Sequence, residues 1–218
     1  MSLSRLRAQP LGDSALTIAF GTEKSADLLK RVHAAAFAVS AAALPEVEDV
    51  VAAYLSLAVF YDSGKTSYTE VAAKLLEVCE RASSAGTASD ASRTHEISVT
   101  YDGPDLENVA TSIGLSTEDV IRRHLARIYS VDLIGFVPGW AYLSELDPAL
   151  HLPRRDQPRP RVPAGSVAIA GAQTGVYPLV TPGGWHIIGH TDTVMFDPAR
   201  DPPAVLRPGD KVRFVRAR

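Results

Sequence analysis

The residues of this chain that are best suited to chemistry are concentrated between positions 135 and 191. Three stretches there, GFVPGWAYL (135–143), RPRVPAGSVAIAGAQTGVYP (159–178) and TPGGWHIIGHT (181–191), mix glycine and proline with aromatic and polar side chains. Glycine lets a backbone approach a ligand closely, and proline fixes the shape of a loop. Such a mixture is typical of a pocket with a few placed polar groups, although the corners of a Gly/Pro-rich barrel need the same residues.

Two further patterns bear on nucleotide and metal binding. The stretch GKT at 64–66 resembles the end of a phosphate-binding loop, but Val59 stands where that loop requires its first glycine. His186 and His190 are four residues apart, a spacing that suits zinc on a helix. Glycines and isoleucines surround them, so the segment predicts a strand, and both are interpreted as polar edge histidines. We therefore expect neither a P-loop nor a metal site at these positions.

The candidate nucleophiles match known catalytic patterns poorly. Ser166 lies in AGSVA, where Ala168 replaces the second glycine of a serine-hydrolase elbow. Cys79 lies on the apolar face of a predicted helix without a histidine nearby, so it is interpreted as a core residue. No catalytic residue follows from these patterns.

The composition is that of an ordinary soluble globular chain. Its 218 residues are 46% hydrophobic and 22% charged, with a net charge of -3. The basic residues are scattered, so binding to nucleic acid has no electrostatic basis. No apolar run approaches the roughly 20 residues that cross a bilayer, and the N-terminus has no signal-peptide pattern. The single Cys79 cannot form an internal disulfide, which favours a reducing compartment, the cytoplasm.

The first 81 residues predict a small α+β unit. A strand is expected over 14–20, and a helix over 24–43, where apolar residues recur with helical spacing. Two strands rich in β-branched and aromatic residues follow within 47–62. Ser67 and Glu70 then form a capping-box pattern that opens a second helix.

A segment of small polar residues, ASSAGTASDASRT at 82–94, separates this unit from the rest of the chain. It has no periodicity and predicts an interdomain linker, with a long surface loop as the alternative. Beyond it, one strand and two short helices precede apolar stretches broken by Gly and Pro, which favour a small barrel or sandwich. We therefore predict an α+β fold with domains at 1–81 and 95–218.

The chain closely resembles the 5-oxoprolinase B-subunit family, also called allophanate hydrolase subunit 1 or sporulation-kinase inhibitor. Its most specific motifs stand here as GFVPGWAYL, PRRDQPRPRVPAGSVAIAGAQTGVYP and PGGWHIIGHT, with LGDSAL, PDLENVA and FDP as further matches. Together they run over nearly the whole chain. Trp140, Ser144-Glu145, Ala172 and the short YDGPDL stretch depart from the family pattern. These departures affect the expected substrate more than the expected fold.

The resemblance implies a small N-terminal α+β domain followed by a C-terminal cyclophilin-like β-barrel. It also implies a heteromeric hydrolase in which this chain acts with a C-type partner, of the allophanate hydrolase subunit 2 kind, and with an A-type partner. Such a complex opens 5-oxoproline to glutamate with hydrolysis of ATP, and this chain alone is expected to be inactive. ATP is expected to be bound partly or wholly by the partners. Two alternatives stay open: inhibition of a sensor histidine kinase, and processing of allophanate or another urea-derived amide.

We expect the three separated stretches to line one concave surface, because each places a backbone-shaping residue beside a polar or aromatic one. Gln173 and Thr174 are candidates for hydrogen bonds to an amide-like substrate, since both donate and accept. Arg161 is the candidate for a carboxylate or phosphate, because its planar fork suits either anion. The predicted pocket residues are Phe136, Pro138, Gly139, Arg161, Pro163, Gly165, Gln173, Thr174, Tyr177 and Trp185.

Overall fold

The computed structural model of the chain describes residues 6–84 and 92–217. These residues divide between two units, Met1–Ala91 and Ser92–Arg218. The predicted linker at 82–94 falls in part on residues 85–91, which lie outside the described residues. The predicted linker overlaps regular structure at both ends: the preceding helix continues to Ser84, and the following strand begins at Thr94. The linker therefore stays a prediction.

The first unit is a four-stranded antiparallel sheet with two helices packed on it. The strands follow the spatial order β1-β2-β4-β3. Leucine, isoleucine and valine side chains of the sheet and of both helices form one apolar core between them. The elements are β1 (Arg7–Pro10), β2 (Ala15–Ala19), α1 (Ala26–Ala41), β3 (Val47–Ala52), β4 (Ser56–Tyr61) and α2 (Tyr68–Ser84).

Each of the two helices begins at a capping serine. Ser25 caps α1 by accepting a hydrogen bond from the backbone N–H of Leu28 at 3.1 Å. The predicted capping box before α2 is confirmed, because Glu70 accepts from the Ser67 backbone N–H at 3.0 Å and the Ser67 hydroxyl accepts from the Glu70 N–H at 3.3 Å. The start of α2 can therefore be read from the sequence alone.

The second unit is a nearly closed barrel of seven strands with two short helices. The spatial order is β12-β9-β10-β7-β6-β13-β5, and only the β13–β5 pair is parallel. The elements are β5 (Thr94–Val99), α3 (Leu106–Ser112), α4 (Thr117–Leu125), β6 (Ile128–Ile134), β7 (Ala141–Ser144), β8 (Arg159–Val162), β9 (Ser166–Ala170), β10 (Gln173–Val176), β11 (Thr181–Gly183), β12 (His186–His190) and β13 (Lys211–Arg216). This confirms the α+β class and selects the barrel over the sandwich.

A few backbone hydrogen bonds bridge the two edge strands of this nearly closed barrel. Just beyond β5, Thr100 exchanges both backbone hydrogen bonds with His190 of β12, at 2.9 and 2.8 Å. The Asp105 N–H extends this seam by donating to the Ile187 carbonyl at 3.0 Å. Pairing of both edges satisfies backbone groups that an open sheet would leave exposed.

The two faces of the barrel wall have different roles, because side chains alternate along each strand. Val167 and Ile169 of β9 belong to the inner core, which α3 and α4 also line. Ala168 and Ala170, the alternate residues, belong to a second apolar cluster on the outer face. The short β8–β11 ribbon contributes Val162 to that outer cluster, and the candidate site lies there.

Candidate functional site

Four aromatic side chains pack together in the outer cluster of the barrel wall, beneath the candidate site. Trp140, Tyr177 and Trp185 are buried, and Tyr142 is partly buried. We call Trp140, Tyr142, Tyr177 and Trp185 the aromatic face. The Trp140 ring lies 4.6 Å from that of Tyr177 and 5.0 Å from that of Trp185, centroid to centroid, and Tyr142 lies 5.8 Å from Trp140. Trp140 and Tyr142 point outward because Ala141 and Leu143, the alternate residues of β7, belong to the inner core.

Two glycines make room for these rings. A Cβ atom at Gly175 of β10 would lie 3.0 Å from Cζ2 of Trp140. At Gly183 of β11 it would lie 2.1 Å from the Tyr177 hydroxyl oxygen, closer than atoms can approach. Glycine at these positions is thus required by the packing of the aromatic face, which explains part of the glycine content of the predicted pocket stretches.

The turn between β6 and β7 places three predicted site residues at the margin of the aromatic face. Phe136 is 60% exposed, and its ring meets that of Trp140 edge-on at 6.0 Å. Gly139 has a φ of 78°, and a Cβ there would lie 2.6 Å from Cβ of Phe196. Pro138, between them, is exposed. The turn therefore places Phe136 at the site, and the glycine at position 139 lets the turn pack closely against Phe196.

The turn between β8 and β9 lies beside the backbone of Tyr177. The Gly165 N–H donates to the Tyr177 carbonyl at 2.7 Å, and the Gly165 carbonyl accepts from the Thr191 N–H at 2.9 Å. A Cβ at Gly165 would lie 2.4 Å from the Thr191 carbonyl oxygen, so only glycine fits. Pro163 of the same turn is exposed. These two residues shape the edge of the site rather than its floor.

Thr174 is separate from the other predicted pocket residues. Its side chain is fully buried in the inner core, where the hydroxyl lies 2.9 Å from Nε2 of His124 and donates to the Ala168 carbonyl at 3.0 Å. The expectation that it lines an exposed pocket is therefore corrected: β10 directs Thr174 inward. Gln173 and Gly175 alternate with it along the strand, and Gln173 is partly exposed at the start of β10.

The structure places Arg161 on the surface of the barrel. It is exposed and forms no ion pair with the described residues. Two other arginines of this region, Arg155 and Arg159, do form ion pairs, both with the carboxylate of Asp105. The sequence patterns did not identify these three residues, because Asp105 is about 50 positions away from both arginines.

The Asp105 carboxylate is buried and fully hydrogen-bonded. Oδ1 accepts from Arg155 at 2.7 Å and from Arg159 at 2.8 Å, while Oδ2 accepts from Arg159 at 2.8 Å and from the Ile187 N–H at 2.7 Å. Burial acts to raise the pKa of Asp105, but the hydrogen bonds with Arg159 and Ile187 and the charges of both arginines outweigh it, so the pKa is lowered. The Asp105 carboxylate therefore links α3, the β8 region and β12.

The GKT stretch and the two spaced histidines have local partners. The Gly64 N–H donates to Asp62 at 2.9 Å, and the Lys65 ammonium pairs with the same carboxylate at 3.0 Å, so both groups have a local partner. His186 contacts the Pro153 carbonyl, and His190 contacts Asp102. Within residues 6–84 and 92–217 there is no group of three or more potential metal ligands. No described helix has the length and apolar character needed to span a membrane.

Comparison with known proteins places these features in a family. The chain matches the family of carboxyltransferase domains, subdomain C and D, over residues 6–206. It is 41% identical to the B subunit of 5-oxoprolinase from Bacillus subtilis (strain 168), over 97% of this chain and 93% of that protein. It is 58% identical to the corresponding B subunit from Escherichia coli O157:H7, over 57% of this chain and 58% of that protein.

Solved structures share the fold. TTHA0988 aligns with a TM-score of 0.84 at 42% identity over 94% of this chain, which spans only 40% of that longer protein. PH0987 from Pyrococcus horikoshii aligns with a TM-score of 0.56 at 43% identity, over 97% of both chains. The urea carboxylase of Kluyveromyces lactis, with a TM-score of 0.70 at 18% identity, shares the fold alone.

The barrel and the matched residues define a carboxyltransferase-type protein of subdomains C and D. Within that class, the chain belongs to the 5-oxoprolinase B-subunit family. The resemblance that the sequence motifs indicated is confirmed.

Proposed function

We propose that this chain is the B-type subunit of an ATP-dependent 5-oxoprolinase, acting with C-type and A-type partners in the cytoplasm. The observation that carries this proposal is the 41% identity to a 5-oxoprolinase B subunit over 97% of the chain. The reaction adds water across the lactam C–N bond to give glutamate, and hydrolysis of ATP to ADP and phosphate drives it.

The aromatic face suits a small, planar lactam. The exposed ring of Phe136 at its margin and the partly exposed ring of Tyr142 offer flat apolar contact, while the Gln173 amide offers hydrogen bonds to an amide group. An unactivated amide opens slowly near neutral pH, so phosphorylation of its oxygen and stabilisation of the resulting anion are the main tasks. The described residues contain no phosphate-binding loop, so we assign most of the contacts with ATP to the partner proteins.

The test is reconstitution of the complex from the tagged chain and its copurified partners, followed by an assay of 5-oxoproline-dependent ATP hydrolysis. We expect activity from the complex and none from the isolated chain. Gln173→Ala should lower kcat/KM by about tenfold, since it removes a hydrogen bond to the substrate. Gln9→Ala, the same change at an exposed residue of the first unit, serves as the matched control and should keep wild-type kinetics.

Three results would count against the proposal. ATP hydrolysis stimulated by allophanate or urea, but not by 5-oxoproline, would assign another substrate. Robust turnover by the purified chain alone would contradict the need for partners. Copurification with a sensor histidine kinase, without any ATPase partner, would favour the regulatory alternative.

A further inference from the structure

A cleft of about 480 Å³ lies between the turn that joins α4 to β6 and the end of β13. Residues 125–128 form one wall, and residues 213–216 form the other. Its volume is within the range of pockets that hold a ligand. The cleft shares no residue with the outer apolar cluster that carries the candidate site. It is therefore a separate surface of the second unit.

Along this cleft β13 has a neighbouring strand on one side only. The pairing between β13 and β6 ends where Arg213 lies opposite Ile128, the first residue of β6. The pairing between β13 and β5 continues to Arg216. The last residues of β13 therefore form a short open edge, and such an edge is a template for another strand.

Two residues of β13 direct their backbone groups into the cleft. The Ala217 N–H donates to the Val99 carbonyl beside β5 at 2.9 Å. Backbone groups of successive residues point to opposite sides of a strand, so those of Phe214 and Arg216 point away from β5. Neither residue has a backbone hydrogen-bond partner on that side among the described residues. An added strand would supply these partners.

Three arginines, Arg127, Arg213 and Arg216, line the cleft and face two carboxylates. Arg213 lies 4.0 Å from Glu96, and Arg216 lies 2.9 Å from Glu118. All four of these paired side chains are more than half exposed, so the pairs contribute little and their arginines can accept another anion. The cleft carries a net positive charge on a chain whose net charge is -3.

Arg127 supplies the excess charge. It is exposed and forms no ion pair with the described residues. Asp147, an acid on which Arg127 acts electrostatically, already pairs with Arg123 at 3.2 Å. The neighbouring Arg122 pairs with Asp119. The acids around the end of α4 are thus engaged by other arginines, and Arg127 is available to a ligand.

The cleft also exposes apolar side chains. Ile128 is 46% exposed, and Val215 is partly exposed. Both point outward, because the next residues along their strands, Tyr129 and Phe214, belong to the inner core. A strand added to β13 would place one of its side chains against them.

We propose that this cleft binds an extended segment of a partner protein, which adds to the open edge of β13 as a short strand. The segment has an apolar residue flanked by acidic ones. Its backbone bonds to Phe214 and Arg216, its apolar side chain packs on Ile128, and its carboxylates pair with the arginines. In this mode of recognition, backbone hydrogen bonds supply affinity and side chains supply specificity.

Binding is tested by fluorescence anisotropy of the full chain with a labelled, end-blocked peptide of sequence Asp-Glu-Val-Asp-Glu. It should bind at least about tenfold more tightly than Lys-Lys-Val-Lys-Lys with the same label, and added salt should weaken it. Arg127→Glu reverses one charge without breaking an ion pair, and should weaken binding by about tenfold. Arg207→Glu, at an exposed residue before the opposite end of β13, is the matched control and should behave as wild type.

Hydrogen exchange, followed by NMR, tests the addition of a strand. The acidic peptide should slow exchange of the Phe214 and Arg216 amides by at least about tenfold, because both N–H groups gain an acceptor. The Ala217 amide, which already donates to Val99, is the internal control and should change little. Binding of the peptide without protection of Phe214 or Arg216 would overturn the proposal.

Four other results would also overturn it. No binding of the acidic peptide at millimolar concentration would show that the cleft does not recognise such a segment. Equal losses in Arg127→Glu and Arg207→Glu would show a non-specific effect of charge. Displacement of the peptide by an equal concentration of inorganic phosphate would show a simple anion site. Self-association in sedimentation equilibrium that Arg127→Glu abolishes would make a second copy of this chain the occupant.

Discussion

His124 is a buried histidine whose surroundings fix its protonation state. The Thr174 hydroxyl donates to the Ala168 carbonyl, so it accepts a hydrogen bond from the Nε2–H of His124. Nδ1 of His124 accepts a hydrogen bond from the Tyr101 hydroxyl at 2.7 Å. The ring also stacks on Phe214 at 4.6 Å. Because burial disfavours the charged imidazolium, the pKa of His124 is lowered to about 3.

This depressed pKa makes the stability of the chain sensitive to acid. The unfolded chain takes up a proton at His124 below pH about 6.5, whereas the folded chain does not until pH about 3, so the stabilising effect is complete above pH 6.5 and is lost as the pH falls. The free energy of unfolding should drop by about 2 kcal/mol between pH 7.5 and 5 on this account. Urea unfolding at a series of pH values measures it. In His124→Phe, which retains the other histidines, the dependence should be shallower by that amount, and an equal dependence would disprove the assignment.

Adding one methyl group at Gly183 tests whether the packing of the aromatic face is needed for activity. In Gly183→Ala the new methyl group would occupy the space of the Tyr177 hydroxyl, so the ring must move. Activity of the complex should fall by at least about tenfold. The control is Gly184→Ala, where the nearest atoms to the added carbon lie 3.7 Å away in Pro158, an ordinary contact. Loss of activity in both variants, or in neither, would argue against Tyr177 as a site residue.

At the level of elements, the side chain of Asp105 joins α3, β8 and β12. In Asp105→Asn the two arginines lose their counterion and the amide cannot accept all four hydrogen bonds. We expect the free energy of unfolding to fall by about 3 kcal/mol, measured by urea denaturation. Asp102→Asn is the matched control, because Asp102 pairs with His190 at the surface, where ion pairs contribute little. A loss of similar size in both variants would show that burial of Asp105 is not the cause.

The elements were easier to predict than the side-chain partners. Helical spacing identified α1, and spacing together with a capping box identified α2, because both signals are local. The face of Thr174 could not be predicted, since a shift of one residue in the register of β10 exchanges its inner and outer side chains. The role of Asp105 was also hidden, because its partner Ile187 is 82 positions away. Local sequence patterns cannot reveal a hydrogen bond between residues so far apart in the chain, because it depends on how the strands are arranged in the barrel.

At the scale of the whole molecule, the chain divides into the two units Met1–Ala91 and Ser92–Arg218. The composition of 82–94, small and polar, predicts that elastase cuts the chain there first, because this protease favours small residues in exposed segments. Mass spectrometry of the early fragments should give products that end or begin within that window. A first cut between 100 and 215 would contradict the predicted linker.

The aromatic face also gives the chain an internal optical probe. The sequence contains two tryptophans, Trp140 and Trp185, and both lie in this one cluster with their rings 5.0 Å apart and nearly perpendicular. Indole emission from the isolated chain therefore reports on the outer face of the barrel and on no other region. Two chromophores so close should also couple, giving a paired signal in the circular dichroism spectrum that Trp185→Phe removes. A ligand at the margin of the aromatic face that shifts these buried rings would change that signal, so binding can be followed without a label.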